Sequence, residues 1–359
     1  MIKGVRREKM VVRRRGLTLL ELIVVISILA ILTALLLPSV QRSRVVSQRT
    51  QCRNNFHAIG MAMHAYHETY GQFPLAGIVS ARMTSEDQIE FGSTSNWNLA
   101  LLPFLDKVNL FNEYRGDLSA FDPLNEKVVG AVVPSFICPS TPREKNQAAF
   151  SMPRGTPVFP QARTARTYET KFGVCDYVET SGIGEDFVRL AYQSEDAPQS
   201  TLGAMEELLV VPDPELDQLM GKPSLVRNIR LEDITDGCST TILIGEKSCR
   251  EEVWRGGKRV GEEEDPEKVA EQRVLGGWGW GNPFNQTRIN GRNADGKGSS
   301  GVHAINCSNE PGAGLYSFHT GVVHVLMADG SARGINQNLS PHVLAAIVTK
   351  KGGETVGSF

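Results

Sequence analysis

The sequence lacks the short motifs that mark common enzyme active sites. It contains no G-x-S-x-G, no H-E-x-x-H and no phosphate-binding loop, so no hydrolase nucleophile, zinc-protease helix or nucleotide site is indicated. No pair of its six cysteines has the C-x-x-C spacing of zinc knuckles and thioredoxin-like redox sites. We therefore expect no catalytic residues, no metal ligands and no enzymatic activity.

The chain also lacks an excess of positive charge beyond its first residues. Residues 1–16 hold seven of the 38 lysines and arginines but one of the 40 acidic residues, so the remainder carries 31 basic and 39 acidic side chains. A mildly acidic body offers no basic face, and we expect no binding to nucleic acid. The seven basic residues are Lys3, Arg6, Arg7, Lys9, Arg13, Arg14 and Arg15.

The even number of cysteines is compatible with two states. Disulfides are expected if the domain is exported to an oxidising compartment. Buried free thiols are the other interpretation, and the sequence leaves both open. The cysteines are Cys52, Cys138, Cys175, Cys238, Cys249 and Cys307.

A long apolar run follows the basic block directly. Residues 17–37 are LTLLELIVVISILAILTALLL and include a single charged residue, Glu21. A helix of this length spans roughly 31 Å, about the thickness of a bilayer's hydrocarbon core. The positive-inside rule then predicts a single-pass inner-membrane protein with a cytoplasmic N-terminus and a periplasmic or cell-surface domain.

Two simpler interpretations of this segment explain less. A secretory signal has a shorter apolar region followed by a small-residue cleavage site, and no A-x-A-like site follows Leu37. A plain membrane anchor accounts for the apolar run but not for Glu21, because an acidic residue near the bilayer centre costs about 2.5–3.5 kcal/mol. We expect this carboxylate to have a functional partner.

The segment RRRGLTLLELIVVISILAILTALLLPSV resembles the type IV prepilin signal. The resemblance implies that a prepilin peptidase cuts between Gly16 and Leu17 and that the new amine of Leu17 is methylated. It also implies that Glu21 pairs with the terminal amine of a neighbouring pilin-like subunit. Pro38 lies where pilins often have a helix-kinking proline, whereas Leu17 departs from the phenylalanine usual in that family.

The helical pattern continues beyond Pro38. Apolar residues recur at intervals of three and four from residue 52 to residue 70, which predicts one buried face of a helix. Gly71 and Pro74 are typical of a helix end. The stripe comprises Cys52, Phe56, Ile59, Met63, Tyr66 and Tyr70.

Short apolar runs separated by turns follow residue 74 and predict strands with long loops. The predicted class is α+β and pilin-like, with a long N-terminal helix that is membrane-embedded in its first half and packs on a β-rich domain. The predicted divisions are a leader at 1–16, a transmembrane helix at 17–38, an amphipathic continuation at 39–74 and an extracytoplasmic domain at 75–359. Within that domain we expect strands at Val128–Val133, Thr240–Gly245 and Val322–Ala328, a helical segment within Leu101–Tyr114, and a solvated acidic loop over Lys258–Val269.

Two pairs of residues suggest ligands but have simpler interpretations. His64 and His67 are three residues apart and could share a metal, but no third ligand is evident nearby. We expect them to be polar residues at the edge of a packing face. Trp278 and Trp280 could form a platform for a glycan, although buried packing beside glycine turns is favoured.

A stretch of acidic and amide side chains makes calcium the one cofactor to be considered. Asn293–Gly296 is similar to part of a calcium loop. An EF-hand would place Gly291 and Val302 at its first and last ligand positions, which excludes that motif. Calcium held in another loop geometry is the remaining alternative to no cofactor.

His319, Asp329 and Gly330 form a further candidate group. A histidine and an aspartate suggest base catalysis, but no third catalytic group is apparent. Asp329-Gly330 between two β-rich runs instead predicts a hairpin with a type I′ turn. We expect a structural role, with Gly330 required by the turn and His319 contributing only local packing.

Ordered blocks along the chain resemble one bacterial family of unknown function, DUF1559. They include QCRNNFHAIGMAMHAYHETYGQFP, NWNLALLPFLDKVNLFNEY, FICPS, LEDITDGCSTTILIGE and FHTGVVHVLMADGSARGI. The last contains the family's C-terminal hallmark, His319 followed by Asp329 and Gly330, and Cys238 stands where the family usually has threonine. The resemblance implies a membrane-tethered, pseudopilin-like protein without an established activity, in a family that has at times been labelled solute-binding.

Two functions follow as expectations. The first is a pilin-like or pseudopilin structural subunit of a type II secretion or type IV pilus-like assembly, with a prepilin peptidase, other pilin-like subunits and the membrane as partners. The second is a tethered solute- or glycan-binding protein that uses the prepilin signal only for export. Glu21 favours the first function, whereas the long individual loops favour the second.

Overall fold

A computed structural model of the protein describes residues 19–85, 87–159, 162–192, 198–205, 209–210, 229–299, 301–354 and 356–357. The chain divides into two compact units, residues 1–47 and 48–359. Helix α1 extends from Leu19 to Tyr70 and includes Pro38. The predicted cleavage and methylation positions, Gly16 and Leu17, lie outside the described residues.

The first unit is described from residue 19 onward and is entirely helical there. Every described side chain from residue 19 to residue 47 is exposed. This helix is long and apolar enough to cross a membrane, and it is the one such helix among the described residues. Exposed leucine, isoleucine and valine side chains are favourable only in an apolar solvent or a partner interface, as expected for a membrane anchor.

In the second unit, the C-terminal part of α1 packs on the β-rich domain. Cys52, Phe56, Ile59 and Met63 are buried, so the predicted stripe is confirmed over most of its length. Tyr66 packs at the edge of the same core. The stripe does not extend to the last residue of the helix, which is exposed.

The remaining elements are short. Helices α2–α7 are Trp97–Leu101, Val108–Glu113, Pro123–Val129, Glu185–Tyr192, Pro266–Leu275 and Pro341–Val348, and 3-10 turns lie at Leu102–Leu105, Pro134–Phe136 and Leu231–Asp233. Strands β1–β7 are Gly77–Ser85, Gln88–Asn96, Gln147–Met152, Pro157–Phe159, Ala162–Thr164, Tyr168–Gly173 and Tyr177–Ile183. Strands β8–β14 are Leu209–Val210, Ile242–Glu246, Val253–Arg255, Lys258–Val260, Gln286–Ile289, Val322–Met327 and Ala332–Asn336.

The strands described form two larger sheets and two ribbons. One five-stranded sheet has the order β12-β7-β9-β13-β14, and another has the order β4-β5-β2-β1-β8. In the first sheet, β12 and β7 are parallel and the other neighbours are antiparallel. The pairs β10-β11 and β3-β6 form the ribbons. The predicted α+β, pilin-like class, a long helix followed by a β-rich domain, is confirmed.

Two local predictions need correction and a third is confirmed. Val128–Val133 is not a strand: Asp122 caps α4 by accepting a hydrogen bond from the Leu124 N–H, and this start signal overrides the β propensity of valine. The helical segment predicted within Leu101–Tyr114 is present as α3, which follows a break at Asp106, where the backbone is left-handed at φ 57°. Lys258–Val269 is a loop only in its middle, since β11 occupies its beginning and α6 its end.

Candidate functional site

Four buried side chains from distant parts of the chain meet in the second unit. Cys52 lies on α1, Cys138 follows the 3-10 turn Pro134–Phe136, Glu246 is the last residue of β9, and His319 precedes β13. Their exposed fractions are 0, 1, 0 and 3 % respectively, so the group is closed to solvent. We refer to these four residues as the Cys-Glu-His cluster.

The potential donor atoms of the cluster all lie within 4.8 Å of one another. His319 Nε2 is 3.4 Å from Cys138 Sγ and 3.5 Å from Glu246 Oε1. Cys52 Sγ is 3.9 Å from Glu246 Oε1 and 2.7 Å from Cys138 Sγ. Thiolate, imidazole and carboxylate are the three ligand types that zinc takes in proteins.

A surrounding layer of hydrogen bonds orients these side chains. His319 Nδ1 is 3.2 Å from Ser140 Oγ, so Nε2 is directed to the cluster. Glu246 turns Oε1 to the cluster, while its Oε2 accepts a hydrogen bond of 3.1 Å from the backbone N–H of His324. Each polar side chain thus presents one atom to the centre and is held through another.

The loop that carries Cys138 is fixed from two sides. Its backbone N–H donates to Asp176 Oδ2 at 2.8 Å. Asn55, on α1, donates to the carbonyl of Ile137 at 2.8 Å and to the hydroxyl of Tyr177 at 3.1 Å. The position of the Cys138 thiol is therefore set by α1 and by the residues at the start of β7.

Burial shifts the acid–base properties of the cluster. Burial raises the pKa of the Cys138 thiol well above its usual value, and the nearby Cys52 and Glu246 add to the shift. Burial lowers the pKa of His319, although the charge of Glu246 opposes this effect. The pKa of Tyr177 is raised well above its usual value by burial and by the same neighbouring groups. All three shifts favour the neutral form of the side chain.

The structure separates the residues of the predicted His-Asp-Gly motif. The polar partners of His319 are Glu246, Cys138 and Ser140, whereas the Asp329 carboxylate accepts from the N–H of Ser331. The hallmark thus contributes one residue to the cluster and two to a turn. This geometry does not support the expectation that His319 has only a local packing role, because its imidazole has three polar partners.

Asp329 and Gly330 lie in the hairpin between β13 and β14, but the turn is not type I′. Gly330 has φ 84°, while Asp329 is not among the residues with positive φ. The Gly330 N–H donates to the Met327 carbonyl, and the Met327 N–H donates to the Ser331 carbonyl. This pattern fits a three-residue loop, a type I turn followed by a glycine bulge, which requires positive φ at one position only.

Gly330→Val is expected to destabilise the protein by about 2 kcal/mol, because a left-handed conformation costs an L-residue about 1–2 kcal/mol and more if it is β-branched. An added Cβ would also lie 3.1 Å from two ring atoms of His64. Thermal melting of the detergent-solubilised protein measures the effect. Gly116→Val is the control, since Gly116 lacks positive φ and has open space around it. Equal melting temperatures for the two variants would refute this role for Gly330.

The other candidate residues are placed as follows. Trp278 and Trp280 are buried, so the prediction that they pack in the interior is confirmed and they do not form an exposed platform for a glycan. His67 Nε2 accepts a hydrogen bond from the Leu231 N–H at 3.3 Å, as expected of a polar residue at the edge of a packing face. In Asn293–Gly296, the Asp295 carboxylate accepts from the Lys297 N–H at 2.9 Å, and calcium binding there stays a prediction.

Sequence reasoning found only His319 of the four cluster residues. The signal for the others was present, because Cys52, Cys138 and Glu246 each lie in one of the short blocks quoted above. Spacing along the chain could not connect them, since 86 residues separate the two cysteines and 194 separate Cys52 from Glu246. All six cysteines are free thiols in the structure.

Comparison with known proteins places these features in a family. The model of a protein family of unknown function, DUF1559, matches residues 41–342. The prokaryotic N-terminal methylation motif matches residues 12–37, so the chain carries a type IV pilin-like signal. No curated protein and no solved structure matches the chain. Because the first match covers most of its length, the chain belongs to the DUF1559 family.

Proposed function

We propose that this protein is a pilin-like or pseudopilin subunit of a type II secretion or type IV pilus-like assembly. The observation that carries the proposal is the match to the methylation motif over residues 12–37, with Glu21 as the one charged residue in the apolar run. A prepilin peptidase cleaves between Gly16 and Leu17, and Leu17 is methylated. Glu21 then neutralises the terminal amine of a neighbouring subunit.

The proposed orientation follows from the positive charge that precedes α1 in the sequence. The basic residues before Gly16 stay in the cytoplasm by the positive-inside rule. The apolar part of α1 spans the inner membrane, and the domain beyond it lies in the periplasm or at the cell surface. The exposed apolar side chains of residues 19–37 support this placement.

The proposal includes no enzymatic activity. A catalytic role for His319 has little support, because the Cys-Glu-His cluster is closed to solvent and a base must reach the proton it abstracts. The alternative, a tethered glycan-binding protein, depended most on Trp278 and Trp280. Both side chains are buried and offer no aromatic platform.

Chemical crosslinking in intact membranes distinguishes a subunit from a solitary anchor. We expect ladders of crosslinked species that contain this chain and other pilin-like subunits, because a subunit is held beside its neighbours. A purely monomeric protein at native expression level would contradict the assembly role and favour the tethered binder.

A further inference from the structure

We propose that the Cys-Glu-His cluster is a structural zinc site in which Cys52, Cys138, Glu246 and His319 are the four ligands. This inference concerns the folded domain and does not rest on the proposed function. The site joins α1 to three other segments of the domain, namely the loop after Pro134–Phe136, the end of β9 and the loop before β13.

The distances between donor atoms fit a tetrahedral zinc ion. Zinc bonds of about 2.0–2.3 Å place neighbouring ligand atoms of a tetrahedron roughly 3.3–3.8 Å apart. Three of the five distances that involve His319 or Glu246 are 3.4, 3.5 and 3.9 Å, and the other two are at most 4.8 Å. The two sulfur atoms, 2.7 Å apart, must separate by about 1 Å to reach the spacing of two zinc-bound thiolates.

The surrounding hydrogen bonds match those of a metal site. A histidine that binds a metal through one nitrogen usually engages a polar group through the other, as His319 Nδ1 does with Ser140. A ligating carboxylate is usually hydrogen-bonded as well, as Glu246 Oε2 is to the backbone N–H of His324. Both residues are therefore held with one donor atom facing the same centre.

Charge gives an independent reason for a cation. Glu246 is fully buried, and the imidazoles of His319 and His324 lie 3.5 and 3.4 Å from its carboxylate oxygens. A buried carboxylate is costly unless it is paired with a positive charge or binds a metal. Two thiolates, one carboxylate and Zn²⁺ give a net charge of about −1 when the histidine is neutral. The guanidinium of Arg49 donates to the carbonyl of Thr320, the residue after His319, at 2.8 Å, and its positive charge partly offsets that excess.

A disulfide between Cys52 and Cys138 is the competing assignment. It would satisfy the two sulfur atoms and would suit an oxidising compartment. It would not explain why Glu246 and His319 converge on the same sulfur atoms, each held by a second hydrogen-bonding group. Closure to solvent and four protein ligands favour a structural ion over a catalytic one, because a catalytic zinc keeps one position open.

The metal content of the full-length protein tests this proposal. The chain is purified in detergent with a tag that contains no histidine, and zinc is measured by mass spectrometry. We expect about one zinc ion per chain, lost in Cys138→Ser and in His319→Ala. Cys175→Ser is the matched control: this thiol is equally buried but donates to the Tyr177 carbonyl, and the variant should retain zinc.

The surrounding layer gives a graded readout. Ser140→Ala removes the partner of His319 Nδ1 and should weaken zinc affinity by about 10–100-fold, in keeping with other metal sites. Competition with a chromophoric chelator measures this change. An unchanged affinity would mean that Ser140 does not orient a zinc-bound histidine.

Two further measurements keep the proposal decidable if the ligand variants do not fold. Wild-type protein stripped with a chelator and reloaded with Co²⁺ should show thiolate-to-cobalt charge-transfer absorption, and its absence would overturn the assignment. Peptide mapping after alkylation without reductant should find Cys52 and Cys138 both modified. A peptide pair linked through these cysteines, or zinc retained in both ligand variants, would equally overturn it.

Discussion

Glu21→Ala should leave the protein in the membrane but abolish its assembly with other pilin-like subunits. In the proposed assembly, Glu21 neutralises the terminal amine of a neighbouring subunit in an apolar environment. Removing one partner of a buried charge pair typically costs about 3–5 kcal/mol, because the other charge is left uncompensated. Insertion itself should be unaffected or improved, because a carboxylate within the bilayer is unfavourable. Membrane fractionation followed by crosslinking measures insertion and assembly separately.

A local role for Glu21 predicts a much smaller effect. A carboxylate in the first turn of a helix contributes only about 0.3–1 kcal/mol through the helix dipole. Glu21→Gln keeps the shape and removes the charge, so it should fail in assembly as Glu21→Ala does. Ser27→Ala is the control, because the Ser27 hydroxyl donates to Ile23 O within the same helix. Wild-type levels of crosslinked oligomer in both Glu21 variants would rule out the pairing role.

Asp176→Ala should lower the free energy of unfolding by about 3–5 kcal/mol, the usual cost of breaking a buried ion pair. Asp176 is fully buried and accepts two hydrogen bonds from Arg143, at 2.7 and 2.6 Å. It also accepts from the backbone N–H groups of Cys138, at 2.8 Å, and Cys249, at 3.0 Å. Truncation leaves two buried N–H donors unpaired and leaves Arg143 with Glu251 as its remaining carboxylate partner, at 2.7 Å. It also releases the loop that carries Cys138.

The matched control for this change is Asp117→Ala. Asp117 also pairs with an arginine, Arg115, at 2.9 Å, but more than half of each side chain is exposed. Exposed pairs are typically worth about 0–1 kcal/mol, so this variant should unfold close to wild type. Denaturant unfolding of both variants in the same detergent gives the comparison. Similar midpoints for the two aspartate variants would show that Asp176 does not carry the stability assigned to it.

Local sequence signals predicted the parts of the fold that depend on neighbouring residues. The spacing from Cys52 to Tyr66 identified the buried face of α1, and Gly71 marked its end. Asp329-Gly330 identified the β13–β14 hairpin. The turn type was wrong because a glycine bulge also accommodates Asp-Gly and needs positive φ only at Gly330.

The prediction was weaker where two local signals compete. Val128 and Val129 favour a strand by composition, yet they belong to α4, because Asp122 and Pro123 start a helix just before them. The start signal is present in the sequence, and it outweighs the β propensity of valine.

The Cys-Glu-His cluster could not be predicted from spacing, because its members come together only through tertiary packing. Cys52 reaches Cys138 through the packing of α1, and Glu246 reaches His319 through the pairing of β9 with β13. Metal-site motifs are recognised in sequences when ligands are close along the chain. This cluster has no two ligands within one short motif.

The mass of the mature N-terminus tests the central claim most directly. Protein extracted from the membrane of its native host, or of a host with a prepilin peptidase, is measured intact and by N-terminal peptide mapping. The proposed function predicts a chain that begins at Leu17 and carries one added methyl group on its amine. A mature chain that still begins at Met1, or one cut after Leu37, would contradict the assignment as a prepilin-like subunit.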